Sequence, residues 1–257
     1  MTVKFIILGC GSSMGVPRAD GFFGSCDLTN KKNFRTRCCA IIKFNNENIL
    51  IDTSPDLRQQ LIKNKIKTIS KVFYTHLHAD QTHGINDLRP FFLKNKKVLP
   101  IYADKETSKY LYSTFKYCFK SNSQYPATLS LKNLKKKHIF KNKKNKISIE
   151  KIPVRHGNID SICYLINNKL AYVSDVDLIY KKDYKLLKKL DYLIIDCLRY
   201  KSHPSHFNLN QVIKLTKKIN PKKTILTNMH TDLDYKKLKK KLPKNIVPAF
   251  DGMSLKL

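Results

Sequence analysis

The chain has 257 residues, enough to bury a hydrophobic core without disulfides. Its formal net charge of +31 comes from 50 basic and 19 acidic residues, but only seven of the basic residues are arginine. Lysine attracts anions diffusely, whereas recognition of phosphates and bases relies on the arginine fork, so the composition favours a solvated lysine-rich surface over a dedicated nucleic-acid interface and is compatible with an anionic substrate.

The spacing of the cysteines and the first residues of the sequence indicate the cellular compartment. The seven cysteines form no Cys-x-x-Cys pair, as is typical of reduced thiols. The first apolar run lasts only about six residues before glycines begin, too short for a signal sequence or a membrane span. We therefore expect a cytoplasmic protein without a membrane partner. No repeat or Pro/Gly/Ser linker divides residues 1–257, which predicts a single domain.

Strands and helices are mixed along the whole chain, which is typical of an α/β protein. Apolar and β-branched runs predict strands over residues 3–8, 38–44, 48–52, 71–75, 99–103, 147–154, 161–166, 169–175, 191–196 and 223–228. Helices are predicted over residues 54–65, 105–119, 183–190 and 208–220, the last with Asn208 as N-cap and Gln211 at the third position. The lysine-rich segment 132–146 predicts an exposed hairpin or loop, with His138 on the surface.

Polar side chains that bind metals or protons follow several of the predicted strands. The stretch YTHLHADQTHG, residues 74–84, holds three histidines and an aspartate directly after a strand, and His156, Asp175 and His230 follow or end three others. The carboxyl ends of strands are where α/β proteins bring loops together over a rigid sheet. A single histidine after a strand is usually a core or surface residue, but a whole set of such groups predicts a metal centre.

These motifs resemble a known family. THLHADQTHG is similar to the HxHxDH signature of the metallo-β-lactamase superfamily, and the later His, Asp and His follow the order of its dinuclear site. The stretches LGCGSSMGVPR, ILIDTSPDLR, GINDLR, DCLRYKSHPSHF and ILTNMHTDLDY resemble the branch that contains phosphoribosyl 1,2-cyclic phosphate phosphodiesterases. The resemblance covers the whole chain and implies the metallo-β-lactamase fold, a four-layer αβ/βα sandwich.

The resemblance also implies the roles of individual residues. Two divalent ions, Zn or Mn, would activate a water for attack on phosphorus. The implied metal ligands are His76, His78 and His156 for one ion, Asp80 and His230 for the other, and Asp175 as the bridge. Asp80 counts as a catalytic residue too, and we expect His206 to protonate the leaving group, with His203 as the alternative.

The sequence departs from the family pattern in two places. Gln81 stands where the pattern has a histidine directly after Asp80, and it is open whether Gln81 or His83 contributes to the second metal site. The loop after GVPR keeps only Cys26 of the cysteine cluster that binds a structural zinc in the phosphonate-pathway enzyme, and no histidine follows His230. We therefore expect no structural zinc.

Three charged residues each have two interpretations. Asp52, which ends a strand, either orients a metal-ligating histidine or caps the following helix. Arg89 and Arg155 either contact a substrate phosphate or pair with a structural carboxylate.

The predicted function is hydrolysis of a small cyclic phosphodiester by a metal-dependent phosphodiesterase. One alternative is a nucleic-acid hydrolase of the RNase Z or exonuclease type, which would use the basic surface but is disfavoured because we find no separate Gly/Pro-rich arm for tRNA. Another is a non-catalytic binding protein similar to pyrroloquinoline-quinone biosynthesis protein B, which Gln81 keeps open. The oligomeric state is open as well, a homodimer being one option.

Overall fold

Two seven-stranded mixed sheets form the centre of the computed structural model, which describes residues 3–141 and 145–257. The first sheet has the strand order β14-β1-β2-β3-β4-β5-β6. Its strands are β1 (Lys4–Gly9), β2 (Cys39–Phe44), β3 (Glu47–Ile51), β4 (Lys71–Phe73), β5 (Leu99–Ala103), β6 (Leu129–Asn133) and β14 (Met253–Lys256).

The second sheet has the order β13-β12-β11-β10-β9-β8-β7. Its strands are β7 (Lys137–Lys141), β8 (Lys146–His156), β9 (Ile159–Ile166), β10 (Leu170–Val173), β11 (Tyr192–Asp196), β12 (Lys223–Thr227) and β13 (Ile246–Pro248). Each sheet is antiparallel in one part and parallel in the other, with β3 to β6 parallel in the first and β10 to β13 parallel in the second. The carboxyl ends of these parallel strands are therefore available to build a site.

Helices cover the outer faces of the sheets. They are α1 (Leu57–Lys63), α2 (Ala79–Thr82), α3 (Arg89–Asn95), α4 (Lys105–Thr114), α5 (Lys116–Phe119), α6 (Leu209–Ile219) and α7 (Tyr235–Lys241). In the part of the chain that the structure describes, none of them has the length and apolar character needed to cross a membrane.

The period-2 alternation of the strands separates the core into two clusters. In β1, Phe5 and Ile7 belong to the cluster between the sheets, whereas Ile6 and Leu8 belong to a second cluster under the helices of the first half. Helix α6 buries an apolar stripe against the second sheet. Helices therefore flank two packed sheets, and the predicted four-layer αβ/βα sandwich is confirmed.

Most predicted strands and two of the predicted helices appear with shifted ends. The helix predicted over residues 208–220 is α6, and Asn208 and Gln211 form the expected reciprocal cap, each backbone N–H donating to the other side chain at 2.9 Å. The helix predicted over residues 105–119 is interrupted at Phe115, and residues 183–190 lie largely in a 3-10 segment, Lys181–Leu187.

The segment 132–146 contains β7, which pairs with β8, so the hairpin prediction holds for its described part; residues 142–144 lie outside the described residues. His138, predicted as a surface residue, is half-buried. Alternation along β7 turns its ring inward, where it packs against Tyr102 at 4.8 Å and Phe73 at 5.4 Å between ring centroids. Both aromatic residues belong to the first sheet, so the hairpin helps to join the two sheets.

A buried hydrogen bond crosses between the sheets beside the loop that carries the HxH motif. The Tyr164 hydroxyl on β9 donates to the backbone carbonyl of Tyr74 at 2.5 Å. Tyr172, paired with Tyr164 on the neighbouring strand β10, is equally buried, but its hydroxyl has no hydrogen-bond partner within the described chain. The two tyrosines therefore form a matched pair that differs in one hydrogen bond.

We expect Tyr164→Phe to lower the free energy of unfolding by about 1–3 kcal/mol, because it leaves a buried carbonyl without its donor. Tyr172→Phe should be neutral or slightly stabilising, because it removes a hydroxyl that is buried and unpaired. Urea denaturation of both variants measures the difference. Equal losses in the two variants would contradict the role assigned to the hydrogen bond between the sheets.

Candidate metal centre

The loops that follow strands of both sheets bring the predicted site residues to one end of the sandwich. From the first sheet, β4 ends at Phe73 and leads directly into the HxHxD loop. From the second sheet, β8 ends at His156, β10 ends two residues before Asp175, and β12 ends three residues before His230. The site therefore depends on both sheets.

His76, His78 and His156 form a cluster in which one nitrogen of each ring lies within 4.8 Å of the others. The closest pair is His76 Nε2 and His78 Nδ1, which are 3.1 Å apart. Two imidazoles that bind one ion at about 2.0–2.1 Å have their nitrogens roughly 2.9–3.4 Å apart. The donor set and its spacing therefore fit one divalent ion.

Hydrogen bonds orient two of these rings so that a lone pair faces the cluster. The backbone N–H and the hydroxyl of Thr75 donate to Asp52 at 2.8 and 2.9 Å, and the hydroxyl accepts from His76 Nδ1 at 3.0 Å. On the other side, His156 Nδ1 donates to the Ser205 carbonyl at 2.7 Å. Both histidines thus keep Nε2 free for a metal.

The structure favours the orienting role of Asp52, since α1 begins at Leu57, after Asp56 as its N-cap residue.

The surroundings favour the neutral imidazoles that bind metals. Burial lowers the pKa of His76 to about 3, and it lowers the pKa of His78 as well, with neighbouring His156 acting in the same direction on both. These two rings therefore remain unprotonated at neutral pH.

Asp175 lies beside the histidine cluster, where its carboxylate would supply an oxygen ligand for a metal ion. Burial would raise its pKa, but His76, His156 and His206 lower it, so the carboxylate is the favoured form. The Asn228 side chain donates to its Oδ1 at 3.1 Å. A carboxylate oxygen of Asp175 lies within 4.8 Å of ring nitrogens of His156 and His206. Asp175 thus fits as a ligand at this position.

Asp80 faces Asp175 across the side chain of Gln81. The Gln81 amide donates to Asp80 Oδ2 at 3.1 Å and to Asp175 Oδ2 at 3.0 Å. Burial, followed by repulsion from Asp175, raises the pKa of Asp80 to about 7. The two carboxylates are therefore linked by an amide.

Two further histidines lie near this motif. His230 Nδ1 contacts the Thr231 hydroxyl at 3.2 Å and Asp232 at 3.5 Å. Within residues 3–141 and 145–257, neither group of three or more closely spaced metal-binding side chains includes Asp80 or His230. His83 points to α4, where Nε2 lies 2.8 Å from the Tyr110 hydroxyl. The structure brings together the histidines predicted for the first ion, and of the residues predicted for the second it places Asp80 and Asp175 on the same Gln81 amide.

His206 lies beside the cluster, with its ring centroid 4.6 Å from that of His156. Its Nδ1 donates to Asp196 Oδ2 at 2.7 Å. Burial would lower the pKa of His206, but the Asp196 carboxylate and their hydrogen bond raise it to about 9. Burial raises the pKa of Asp196 to about 7, so the proton of the pair resides on His206 at neutral pH. His203 is near, at 4.9 Å between ring centroids, but its Nδ1 contacts Ser205.

The two arginines of uncertain role lie outside this set of contacts. Arg155 pairs with Asp177, whose other oxygen accepts from the backbone N–H of Gly157 at 2.8 Å, so its role is structural. Arg89 lies 5.6 Å from the Tyr125 ring centroid, at a separate apolar cavity.

A cleft of about 560 Å³ opens beside the cluster. It is lined by His78, Arg155, His156, Asn158, Pro204 and Ser205, among others. This volume lies in the range of small-molecule sites.

Three supporting residues were missed from the sequence: Thr75, Asp196 and Asn228. Asp196 is the last residue of the apolar strand β11, and Asp52 directly follows β3. The position of Asp196 at a strand end could therefore have identified it as a site residue. Asn228 follows β12 with a φ of 58°, and its side chain donates to Ser174 and Asp175. Nothing in its sequence context indicates this contact.

Comparisons with known proteins identify the family and the fold. A family model described as the Beta-lactamase superfamily domain matches residues 47–229. Among solved structures, a diphosphatase of the PhnP family is similar over 100% of this chain and 98% of its own, with a TM-score of 0.90 and 30% identity.

More distant structures share the fold. Zinc-bound PqqB from Methylobacterium extorquens has a TM-score of 0.78 at 16% identity, covering 99% of this chain and 100% of its own. The short form of human tRNase Z has a TM-score of 0.68 at 18% identity, covering 98% of each chain.

A curated relative is longer than this chain. The protein named octanoyltransferase from Porphyromonas gingivalis (strain ATCC BAA-308 / W83) is 30% identical over 255 residues, which are 98% of this chain. The chain spans about half of that relative, 51% of its length.

We expect Asp175→Ala to release bound metal, because Asp175 is the carboxylate that faces the histidine cluster. Metal content after desalting, measured by elemental analysis, should fall roughly 10-fold or more at limiting metal. The exposed Asp160 provides the matched control, since Asp160→Asn removes a carboxylate charge on the surface. Retention of metal in Asp175→Ala would show that the carboxylate is not a ligand.

Proposed function

Because this chain belongs to the beta-lactamase superfamily and is a metal-dependent hydrolase, we propose that it hydrolyses a small phosphodiester, such as a phosphoribosyl cyclic phosphate. The observation that carries the proposal is the Asp196–His206 pair, which holds a proton donor beside the histidine cluster. A metal position next to a positioned acid is what cleavage of a phosphate ester with a poor leaving group requires.

The contacts of each residue indicate its role in the proposed reaction. His76, His78, His156 and Asp175 would hold a divalent ion, which supplies Lewis-acid activation of water and screens charge on phosphoryl oxygens. Asp196 holds His206 by Nδ1, so that the Nε2–H is free to protonate the leaving oxygen. Two ions, Zn or Mn, are the prediction from the sequence, and the described residues hold two groups of closely spaced donors, one formed by His76, His78 and His156 and the other by His156, Asp175 and His206.

A small substrate is favoured over a polymer. The cleft beside His78 and His156 has the volume of a small-molecule site, and Arg155 on its wall is already paired with Asp177. Because the remaining basic surface is mostly lysine, a track of arginine forks along a nucleic-acid backbone is not expected. The resemblance to a PhnP-family diphosphatase over nearly the full length of both chains supports a phosphate substrate.

A phosphoanhydride is the second candidate substrate, because that relative is named a diphosphatase. The two substrates differ in the leaving group. A ribose oxygen leaves as a strongly basic alkoxide and needs a proton donor, whereas a phosphate leaves readily without one. The contribution of His206 therefore distinguishes them.

We expect His206→Ala to slow cleavage of a ribose 1,2-cyclic phosphate by about 10²- to 10⁴-fold, because the alkoxide loses its proton donor. Hydrolysis of a nitrophenyl phosphodiester, which expels a stable phenolate, should be largely spared. Steady-state kinetics with both substrates, together with metal content, measures the effect.

The control variant for this experiment is His203→Ala, which removes the neighbouring imidazole that contacts Ser205. A selective loss in His203→Ala, or equal losses on both substrates in His206→Ala, would remove His206 from the role of general acid. The first result would assign that role to His203.

Salt dependence separates the small-substrate function from the nucleic-acid alternative. We expect the Michaelis constant for a small cyclic phosphodiester to change only modestly between 50 and 200 mM salt, whereas binding that neutralises several phosphates weakens by about 10³-fold or more over that range. Kinetics with the cyclic phosphate, RNA and single-stranded DNA provides the comparison. Efficient RNA cleavage with a steep logarithmic salt dependence would favour the nuclease.

A further inference from the structure

Gln81 occupies the space between two carboxylates of the site. Its Nε2 lies 3.1 Å from Asp80 Oδ2 and 3.0 Å from Asp175 Oδ2, so one amide group donates to both. The side chain is fully buried, and its Oε1 has no hydrogen-bond partner among residues 3–141 and 145–257. Water therefore has little access to this point, and the amide is a hydrogen-bond donor that the two carboxylates share.

An ion between these carboxylates would need lone pairs directed at it. Gln81 directs N–H groups there instead, and a donor amide and a divalent ion cannot share the position. If the amide were reversed, Oε1 would face two carboxylate oxygens without a proton between them. The hydrogen bonds thus favour the orientation that excludes the ion.

His230 and His83 are the other candidate ligands for a second ion. His230 Nδ1 is in contact with Thr231 and Asp232, and neither group of closely spaced metal-binding side chains in the described part of the chain contains it. His83 contacts Tyr110 on α4. Asp80 and Asp175 alone would leave a second ion with few protein ligands, whereas His76, His78 and His156 already form a set for the first.

We propose that the Gln81 amide takes the place of a second divalent cation between Asp80 and Asp175, so that this chain firmly binds one divalent ion, at His76, His78 and His156. Gln81 is then a positioning residue. It holds the Asp175 carboxylate in place beside the ion by a hydrogen bond rather than by a shared metal. The inference rests on the proposed metal-dependent function.

Metal stoichiometry tests this inference directly. The wild-type protein, Gln81→His and Gln81→Leu are loaded with Co²⁺ or Zn²⁺, desalted and measured by elemental analysis, and each is titrated with Co²⁺ while the visible absorption is followed. Gln81→His replaces the donor amide by an imidazole with a lone pair, whereas Gln81→Leu removes the amide without adding a ligand. The exposed Gln59 on α1 provides the matched control, Gln59→His.

We expect about one tightly bound ion per chain in the wild-type protein, and about two in Gln81→His, with the second ion bound roughly 10- to 100-fold more tightly than in wild type. Gln59→His should match wild type. Gln81→Leu should not gain a tightly bound second ion, since the two carboxylates alone offer few ligands.

Three outcomes have distinct meanings. Two ions of comparable affinity in the wild-type protein would overturn this inference and leave the proposed hydrolase intact. An unchanged stoichiometry in a folded Gln81→His protein, verified by circular dichroism, would also overturn it. A wild-type protein that binds no ion would overturn the proposed function and this inference together.

Discussion

Burial of three carboxylates at the seam between the sheets is the constraint on which the site depends. Asp52, Asp175 and Asp196 are almost inaccessible to water, and an uncompensated buried charge costs several kcal/mol. Each accepts hydrogen bonds from other loops: Thr75 donates to the first, Asn228 and Gln81 to the second, and His206 to the third. The loops must converge to make these bonds, and the convergence brings the histidines of both sheets together.

The segment that follows His230 is fixed by a separate polar network. The buried Arg35 guanidinium donates to the Leu233 carbonyl at 2.5 Å and to the Asn33 side chain at 3.1 Å. Asn33 in turn donates to Asp234 at 2.6 Å, and the Cys26 thiol contacts the Thr231 carbonyl at 3.2 Å. The loop that contains Cys26, Asn33 and Arg35 is thereby joined to the segment after His230 by buried hydrogen bonds, which are stronger than hydrogen bonds in water. This attachment keeps the His230 backbone in place while its ring contacts Thr231 and Asp232.

The sequence was informative where periodicity and spacing carry the signal. Strand and helix patterns predicted an α/β protein, and the family resemblance carried by the HxHxD motif implied the sandwich and the cluster of His76, His78 and His156. The edge strands β6, β13 and β14 were missed; β13 and β14 have only three or four residues, too few for a period. The partners of the ligands were harder still. Asn228 reaches Asp175 from 53 positions away in the chain, a contact that only the packed sheets create. The two hydrogen bonds of the Gln81 amide likewise depend on the packed positions of the Asp80 and Asp175 carboxylates.

The Asp196–His206 pair bears on whether the fold serves catalysis or binding alone. Asp196 is fully buried, and its Oδ1 has no hydrogen-bond partner in the part of the chain that the structure describes. Such an unpaired buried oxygen destabilises the fold by about 1–3 kcal/mol, a cost usually found where a site requires the group. In a protein that only bound a ligand at the histidine cluster, the protonated His206 would stabilise the buried Asp196 and attract an anion. A hydrolase gains a proton donor fixed in place beside the ion, because Asp196 both orients the imidazole and raises its pKa.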